Sequence, residues 1–402
     1  MLKTTLVNML LTLMIAVGIF TAAPAMAQDQ GETHQWEFTT EGKVVVVGNA
    51  FSDYDDFVRI LASHDLLDHN NNWIAEDAHL VQTGNIYPRS SDWKKLNNIQ
   101  FEHERIARLL LKLDQQARKQ GGRVHSLQGM IDVAFLRWRI DTVPQNVQTL
   151  WATDDSEEKQ QALAERWDDD LKVKNAHYGE STQKRLKRDH DNYMTAFYKP
   201  GSVEVLERCG RYDAATDSYI LDSEFAKWMR NRNVAVKINN VLYSHSGISE
   251  VLAGIKPRKA GEPAVAMSIG EINDLLRERN NDPTLFLPSD TDLEGPIWWS
   301  GLANDMNAGD IRAYMKEIKE RYGVTGMVIG KTKKEHATHI GDVIFAASGL
   351  GSRNFRTKLN SIVVEGDHWT IIEERRKIEE GDFSPLIRQG GPENPRKPGD
   401  GS

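Results

Sequence analysis

The chain has 402 residues, of which 50 are lysine or arginine and 58 are aspartate or glutamate, so its net charge is −8 when the histidines are neutral. An acidic chain disfavours a general nucleic-acid-binding function, because such proteins present basic surfaces to phosphates. Cys209 is the single cysteine. No disulfide can therefore form within the chain, and its stability has to come from buried apolar surface.

The first 27 residues have the pattern of a secretory signal peptide. Lys3 precedes an apolar run over residues 6–20, and Ala25-Met26-Ala27 provides a cleavage site of small residues. The run is shorter than the roughly 20 apolar residues that cross a bilayer, and no later segment of the sequence approaches that length. The sequence therefore predicts cleavage near Ala27, export to the periplasm or the medium, and a mature chain without a membrane span.

Residues 43–127 alternate between strand and helix patterns. Residues 43–48 form a β-branched run that is typical of a strand covered on both faces, and strands are also predicted over residues 79–84 and 122–127. Residues 53–64 and 101–120 have the apolar spacing of amphipathic helices, and Ser52 or Asp53 is placed to cap the first of them. This alternation predicts a layered α/β domain with a site among the loops that follow its strands.

The middle of the chain differs from both flanks. Residues 135–232 are rich in charged and aromatic residues with helical periodicity, which predicts a helical insertion or cap. Strands then resume at residues 234–238 and 241–244, joined at Asn239-Asn240. Helices are predicted at residues 268–279 and 311–322, and further strands at residues 324–330, 342–347, 360–364 and 368–372. We expect the domain to span residues 40–375 and a disordered tail to span residues 385–402.

Short segments with similar glycine and polar patterns follow the predicted strands. They are Gly48-Asn49-Ala50-Phe51-Ser52, Gly84-Asn85-Ile86-Tyr87-Pro88-Arg89, Gly129-Met130-Ile131-Asp132, Ser244-His245-Ser246-Gly247 and Gly330-Lys331-Thr332. Their order and surroundings resemble the calcineurin-like metallophosphoesterases, and most closely the Shewanella-like protein phosphatases. The resemblance covers roughly residues 43–373. It implies a layered α/β (α+β) fold, in which a calcineurin-like metallophosphoesterase β-sandwich is flanked by helices and carries a helical insertion.

The same resemblance implies which positions would hold metal. Family members use two divalent ions to bind the phosphate and to activate a water molecule. In this sequence the six ligand positions are occupied by Asn49, Phe51, Asn85, Met130, His245 and Lys331. Only His245 matches the family's ligand type. Ile131 stands where the family has the histidine that protonates the leaving group, and Asp132 follows it.

These substitutions predict a protein without metal ions, other cofactors or catalytic residues. Phe51 and Met130 offer no hard ligand, the amide of Asn49 cannot neutralise a cation, and Lys331 repels one. The leading hypothesis is an exported, catalytically inactive pseudophosphatase that binds, scaffolds or regulates. Its partner is an unknown protein or an anionic ligand such as a phosphorylated peptide. The candidate ligand-binding residues are Arg89, Lys331 and His245.

Several alternatives stay open at this point. The second hypothesis is an active periplasmic phosphoesterase or protein phosphatase that binds two Mn, Fe or Zn ions through residual ligands such as His245. A single histidine after a strand is also typical of a structural hydrogen bond. Arg89 either binds an anion or pairs with an acid such as Asp132. His336 and His339 are either a metal pair or part of an exposed loop, and the loop is favoured.

Overall fold

The computed structural model describes residues 35–87, 102–136, 152–162, 165, 224–281, 295, 297–332, 336–347 and 359–384. The predicted signal peptide, most of the predicted insertion and the predicted tail lie outside these ranges. Within them, no helix has the length and apolar character that crossing a membrane requires.

The described strands form two mixed six-stranded sheets. The first sheet contains, in spatial order, β1 (Glu37–Phe38), β5 (Ala235–Ile238), β6 (Val241–Ser244), β7 (Gly326–Ile329), β9 (Val343–Phe345) and β8 (Thr338–Ile340). The second contains β12 (Arg376–Asp382), β11 (His368–Glu373), β10 (Asn360–Glu365), β2 (Val44–Val47), β3 (His79–Gln82) and β4 (Arg123–Ser126). Strands β2, β3 and β4 run parallel, as do β6, β7 and β9, so the loops that follow them leave the same edge of each sheet.

Helices lie next to these strands in the chain. They are α1 (Tyr54–Ser63), α2 (Glu102–Arg118), α3 (Met130–Leu136), α4 (Glu224–Asn231), α5 (Ile269–Asn281) and α6 (Ala308–Tyr322), with a π-helical turn at Gly301–Asp305. The Asp53 side chain caps α1 by accepting from the Asp56 N–H, as the sequence predicts. Ser268 and Glu271 form the predicted capping box at the start of α5.

The valine run of β2 shows how the layers pack. Val44 and Val46 face the apolar layer that joins the two sheets, where Val46 lies in one cluster with Tyr243 of the first sheet. Val45 and Val47 face the opposite side and pack with the helical layer that contains Phe57 of α1. Each of these valines is at most 2% exposed. The strand is continuously β-branched because both of its faces are buried.

The structure confirms the predicted strands and helices within the described ranges and adds three strands. Strands β1, β8 and β12 were not predicted, and β12 continues the second sheet beyond residue 375. The prediction that His339 lies in an exposed loop is wrong. His339 lies in β8, with its ring 4.8 Å from that of Trp369. His336 contacts Glu373 at 2.9 Å. The described residues contain no group of three or more side chains arranged to hold a metal ion.

Candidate functional site

Hydrogen bonds bring the predicted strand-end segments together. The N–H of Phe51 in the first segment donates to the carbonyl of Asn85 in the second, at 2.9 Å. The side-chain oxygen of Asn85 accepts from the N–H of Ile131 in the third segment, at 2.8 Å. The Asn49 amide donates to the carbonyl of Gly330 in the last segment, at 3.0 Å. The positions that the resemblance assigns to metal ligands therefore lie in one connected set of loops.

Asp132 is the anchor of this set. Its side chain is fully buried, and its carboxylate accepts hydrogen bonds from the N–H groups of Gly129, Asn85 and Ile86 at 2.9–3.0 Å. Arg232 completes the arrangement with an ion pair of 2.9 Å. A buried carboxylate is tolerated where a partner charge and several donors compensate for the lost hydration. Asp132 therefore holds the second and third segments together. Its carboxylate oxygens are occupied by these partners and are not available to a ligand.

Arg232 was not among the residues predicted for the site. It lies just after α4, its guanidinium also donates to Ser126 and Leu127 at the end of β4, and it stacks over the ring of Trp228 at 4.9 Å. Arg89 was one predicted ion-pair partner of Asp132, but it lies outside the described residues. The one sequence signal that included Arg232 was the family resemblance, which spans roughly residues 43–373.

Two glycines allow the second and third segments to approach each other. A Cβ atom on Gly129 would overlap the backbone nitrogen and side-chain oxygen of Asn85. Gly84 has a φ of +102° and faces the backbone of Gly129, so a side chain there would be strained as well as crowded. The glycines of these segments therefore keep the loop geometry even though the ligand positions differ.

His245 is held as a neutral imidazole. Its Nδ1 lies 2.8 Å from the carbonyl of Thr83, which can only accept, and its Nε2 accepts from the N–H of Met130 at 3.2 Å. Complete burial lowers the pKa of His245 to about 4; the hydrogen bond to Thr83 opposes this shift and the nearby Lys331 contributes to it. Nδ1 carries the proton and the Nε2 lone pair accepts from Met130, so both ring nitrogens are engaged within the protein.

Lys331 is committed to a neighbouring turn. Its ammonium donates to the carbonyls of Trp298 at 2.6 Å and Trp299 at 3.0 Å, with that of Ile297 at 3.4 Å. Burial lowers the pKa of this amine to about 8, while Asp305 opposes the shift. An ammonium group has three protons, and these three carbonyls account for all of them. Lys331 therefore stabilises the 297–299 turn in the place where the family resemblance expects a ligand.

The remaining ligand positions are amide or apolar. Asn49 is 2% exposed, and its Oδ1 has no hydrogen-bond partner among the described residues. Phe51 is buried and adopts a left-handed backbone conformation with φ of +43°. Met130 and Ile131 are half-buried and pack against two different apolar clusters. At the described ligand positions, the packed loops thus leave one acceptor without a partner, the buried Asn49 oxygen.

A cavity of about 540 Å³ lies beside this site, between the π-helical turn and α6. Trp299 and Tyr314 line it together with four acidic side chains. Each of these acids already has a partner: Glu250 pairs with Lys256, Asp305 accepts from Ser300, Asp310 accepts from the N–H of Asn307, and Glu317 pairs with Arg321. Because every carboxylate is engaged, we assign the cavity no ligand.

Comparison with solved structures identifies the fold. The chain is similar to the cold-active protein-tyrosine phosphatase of a psychrophile, Shewanella sp., with a TM-score of 0.55 and 19% identity over 88% of this chain and 84% of that one. A 1.1 Å structure of a cold-active protein tyrosine phosphatase gives the same TM-score and identity over 88% and 83%. The chain has the calcineurin-like metallophosphoesterase fold. No family model and no curated protein matches the sequence.

The metallophosphoesterase fold implies a pair of divalent ions, and the residues present do not fit one. Hard divalent cations prefer carboxylate and other oxygen ligands, and transition metals also take imidazole. Here one histidine has both nitrogens engaged, one lysine adds positive charge, and the Asn85 oxygen is already used by Ile131. Among the described ligand positions, only the neutral oxygen of Asn49 remains. A two-metal centre is not compatible with this donor set.

Proposed function

We propose that this metallophosphoesterase-fold protein is a pseudophosphatase, exported and without hydrolytic activity, which acts by binding, scaffolding or regulating a partner. The observation that carries the proposal is the ammonium of Lys331. It takes the place of the last metal ligand and donates to the carbonyls of Trp298 and Trp299. A cation in that position repels a metal ion, and its hydrogen bonds make it part of the protein's own packing.

The charge of the site supports the same proposal. Two divalent ions bring about four positive charges, and the one carboxylate in the loops, Asp132, is already paired with Arg232. Transferring an uncompensated ion from water into a buried site costs on the order of several kcal/mol. Ile131 offers no proton to a leaving group, so acid catalysis lacks a donor at this position as well.

The proposed partner is an unknown protein or an anion such as a phosphorylated peptide. Arg89 is the primary anion-binding candidate, because arginine binds phosphate in a bidentate manner and Lys331 is engaged by carbonyls. Lys331 contributes to such a site only by leaving the 297–299 turn. His245 is neutral at physiological pH and its ring nitrogens are engaged, so its part in binding is to position the loops.

One observation favours the second hypothesis, an active metal-dependent phosphoesterase. The Asn49 oxygen is buried without a hydrogen-bond partner among the described residues, as an oxygen directed at an absent cation would be. The solved structures to which the chain is similar include phosphatases. Under this hypothesis Mn, Fe or Zn ions would bind weakly through Asn49, Asn85 and His245.

Hydrolysis of an aryl phosphate separates the two hypotheses. The mature protein is incubated with 4-nitrophenyl phosphate and added Mn²⁺, and release of nitrophenolate is followed by absorbance. We expect no turnover above the protein-free blank. Turnover that disappears in His245→Ala would contradict the proposal. His64→Ala is the matched control, because His64 is also a buried histidine, 7% exposed, but contacts Ser361 rather than the site loops.

A further inference from the structure

A buried histidine pair lies on the inner face of the second sheet. His79 begins β3 and His125 lies in the neighbouring strand β4, with His79 Nδ1 3.1 Å from His125 Nε2. The two side chains belong to residues that are 2% and 8% exposed. Two imidazole nitrogens at this distance share one proton, because one must donate and the other must accept. A second proton would place two N–H groups against each other.

Phe38 of β1 covers this pair. Its ring centre is 4.5 Å from that of His125 and 6.1 Å from that of His79, and both contacts are edge-on. Among the described strands, β1 pairs with β5 alone and contains only Glu37 and Phe38. Phe38, in a two-residue edge strand, therefore packs directly against the buried histidine pair.

Burial, and secondarily the charged groups around the pair, disfavour its protonation. Burial lowers the pKa of His79 to about 4, with a further contribution from Arg123 of β4 that Asp77 partly opposes. Burial also holds the pKa of His125 well below its usual value, aided by His79, Arg123 and Arg118 of α2. On the side of β1, Glu37 is paired with Lys237 at 2.9 Å. No described carboxylate bonds to either imidazole.

We propose that Phe38 and the His79–His125 pair form an acid-sensitive latch, which holds β1 in place at neutral pH and releases it when the pair is protonated. Opening at β1 hydrates the pair and breaks the two-residue strand, its Glu37–Lys237 ion pair, the packing of Trp36 and the Asn233 hydrogen bond to the Gln35 carbonyl. Separating β3 from β4 would instead break the second sheet. Thr40 remains tied to Asn239 by two hydrogen bonds of 3.0 Å, so the release ends there. Strand β5 then becomes a free sheet edge, on which another strand can pair.

The direction of the pH effect follows from linkage. A histidine whose pKa is lower in the closed state binds its proton more readily in the open state, so closing is favoured above pH 6.5 and loses stability as the pH falls towards 4. From the His79 shift alone, the opening equilibrium constant should rise about 20-fold between pH 7 and pH 5. His125 adds to this change in the same direction.

Hydrogen exchange measured by mass spectrometry on the full chain tests the latch. The N–H groups of Lys237 and Asn239 donate to Trp36 and Phe38, so they report β1 directly. After correction for the intrinsic exchange rate, their protection should fall by at least about ten-fold from pH 7 to pH 5, while the amides of β3 and β4 stay protected. Equal protection at both values, or simultaneous loss in β3 and β4, would overturn the proposal.

Two variants separate the latch from general acid sensitivity. In the double variant His79→Gln and His125→Gln the pH dependence of the Lys237 and Asn239 amides should disappear, and a retained dependence would contradict the proposal. His368→Gln, which changes an exposed histidine of β11, is the matched control and should behave as the wild type. Phe38→Ala should expose the same amides at pH 7 with the pair intact. Unchanged protection in that variant would also contradict the latch.

Discussion

Replacing Asp132 by asparagine should lower the free energy of unfolding by about 3–5 kcal/mol, the range found when one partner of a buried ion pair is removed. The substitution leaves the charge of Arg232 buried, with a side-chain exposure of 2%, and turns an amide group towards backbone donors. The N–H groups of Gly129, Asn85 and Ile86 then compete for one neutral oxygen. Urea denaturation followed by circular dichroism measures the change.

The control for Asp132 is a carboxylate in a solvated ion pair. Glu317 pairs with Arg321 one helical turn away in α6, and both side chains are about a third exposed or more. Glu317→Gln should cost no more than about 0.5 kcal/mol, because exposed pairs contribute little. If Asp132→Asn costs as little as this control, Asp132 does not anchor the strand-end loops.

Restoring the family's residues at all six altered positions should produce phosphatase activity that no single change produces. The changes are Asn49→Asp, Phe51→His, Asn85→Asp, Met130→Asn, Ile131→His and Lys331→His. With added Mn²⁺, hydrolysis of 4-nitrophenyl phosphate by the combined variant should exceed that of every single variant by at least about 100-fold, the lower end of what a positioned acid alone contributes. Two metal ions bind only when most of their ligands are present at the same time, so a single restored ligand is not sufficient.

Each single change also breaks a contact that the present residues make. Asn49→Asp puts a carboxylate oxygen about 3.0 Å from the carbonyl of Gly330, where the amide now donates. Lys331→His removes the hydrogen bonds to the Trp298 and Trp299 carbonyls. Adding His245→Ala to the combined variant is the control and should abolish its activity. Strong hydrolysis from one change alone would mean that the site is closer to a metal centre than the structure indicates.

Most strands and helices were predictable because patterns of neighbouring residues indicate them. The valine run of β2 and the Asp53 cap of α1 follow from neighbouring residues alone. Strand β1 does not, because its two residues become a strand only by pairing with β5, about 200 positions later in the chain. Strand β12 is mostly charged and has no apolar alternation, so only its pairing with β11 defines it.

The sequence indicated which segments lie together but not which side chains bond to each other. The family resemblance placed Asn85, His245 and Lys331 in one set of loops, and the structure brings them together. It did not show that the Asp132 partner in the described residues is Arg232, 100 positions away. The His79 and His125 pair was equally hidden, because the two residues meet only once β3 and β4 lie side by side. Contacts between segments that are distant in the sequence can be identified only when the topology of the sheets is known.

The most direct test of the account is the metal content of the mature wild-type protein. The protein is equilibrated with excess Mn²⁺, Fe²⁺ or Zn²⁺, dialysed, and analysed by inductively coupled plasma mass spectrometry. Because Lys331 and both nitrogens of His245 are engaged, we predict far less than one ion per chain. About two ions per chain, lost on His245→Ala but kept in His64→Ala, would contradict the proposal that the strand-end loops have given up metal binding.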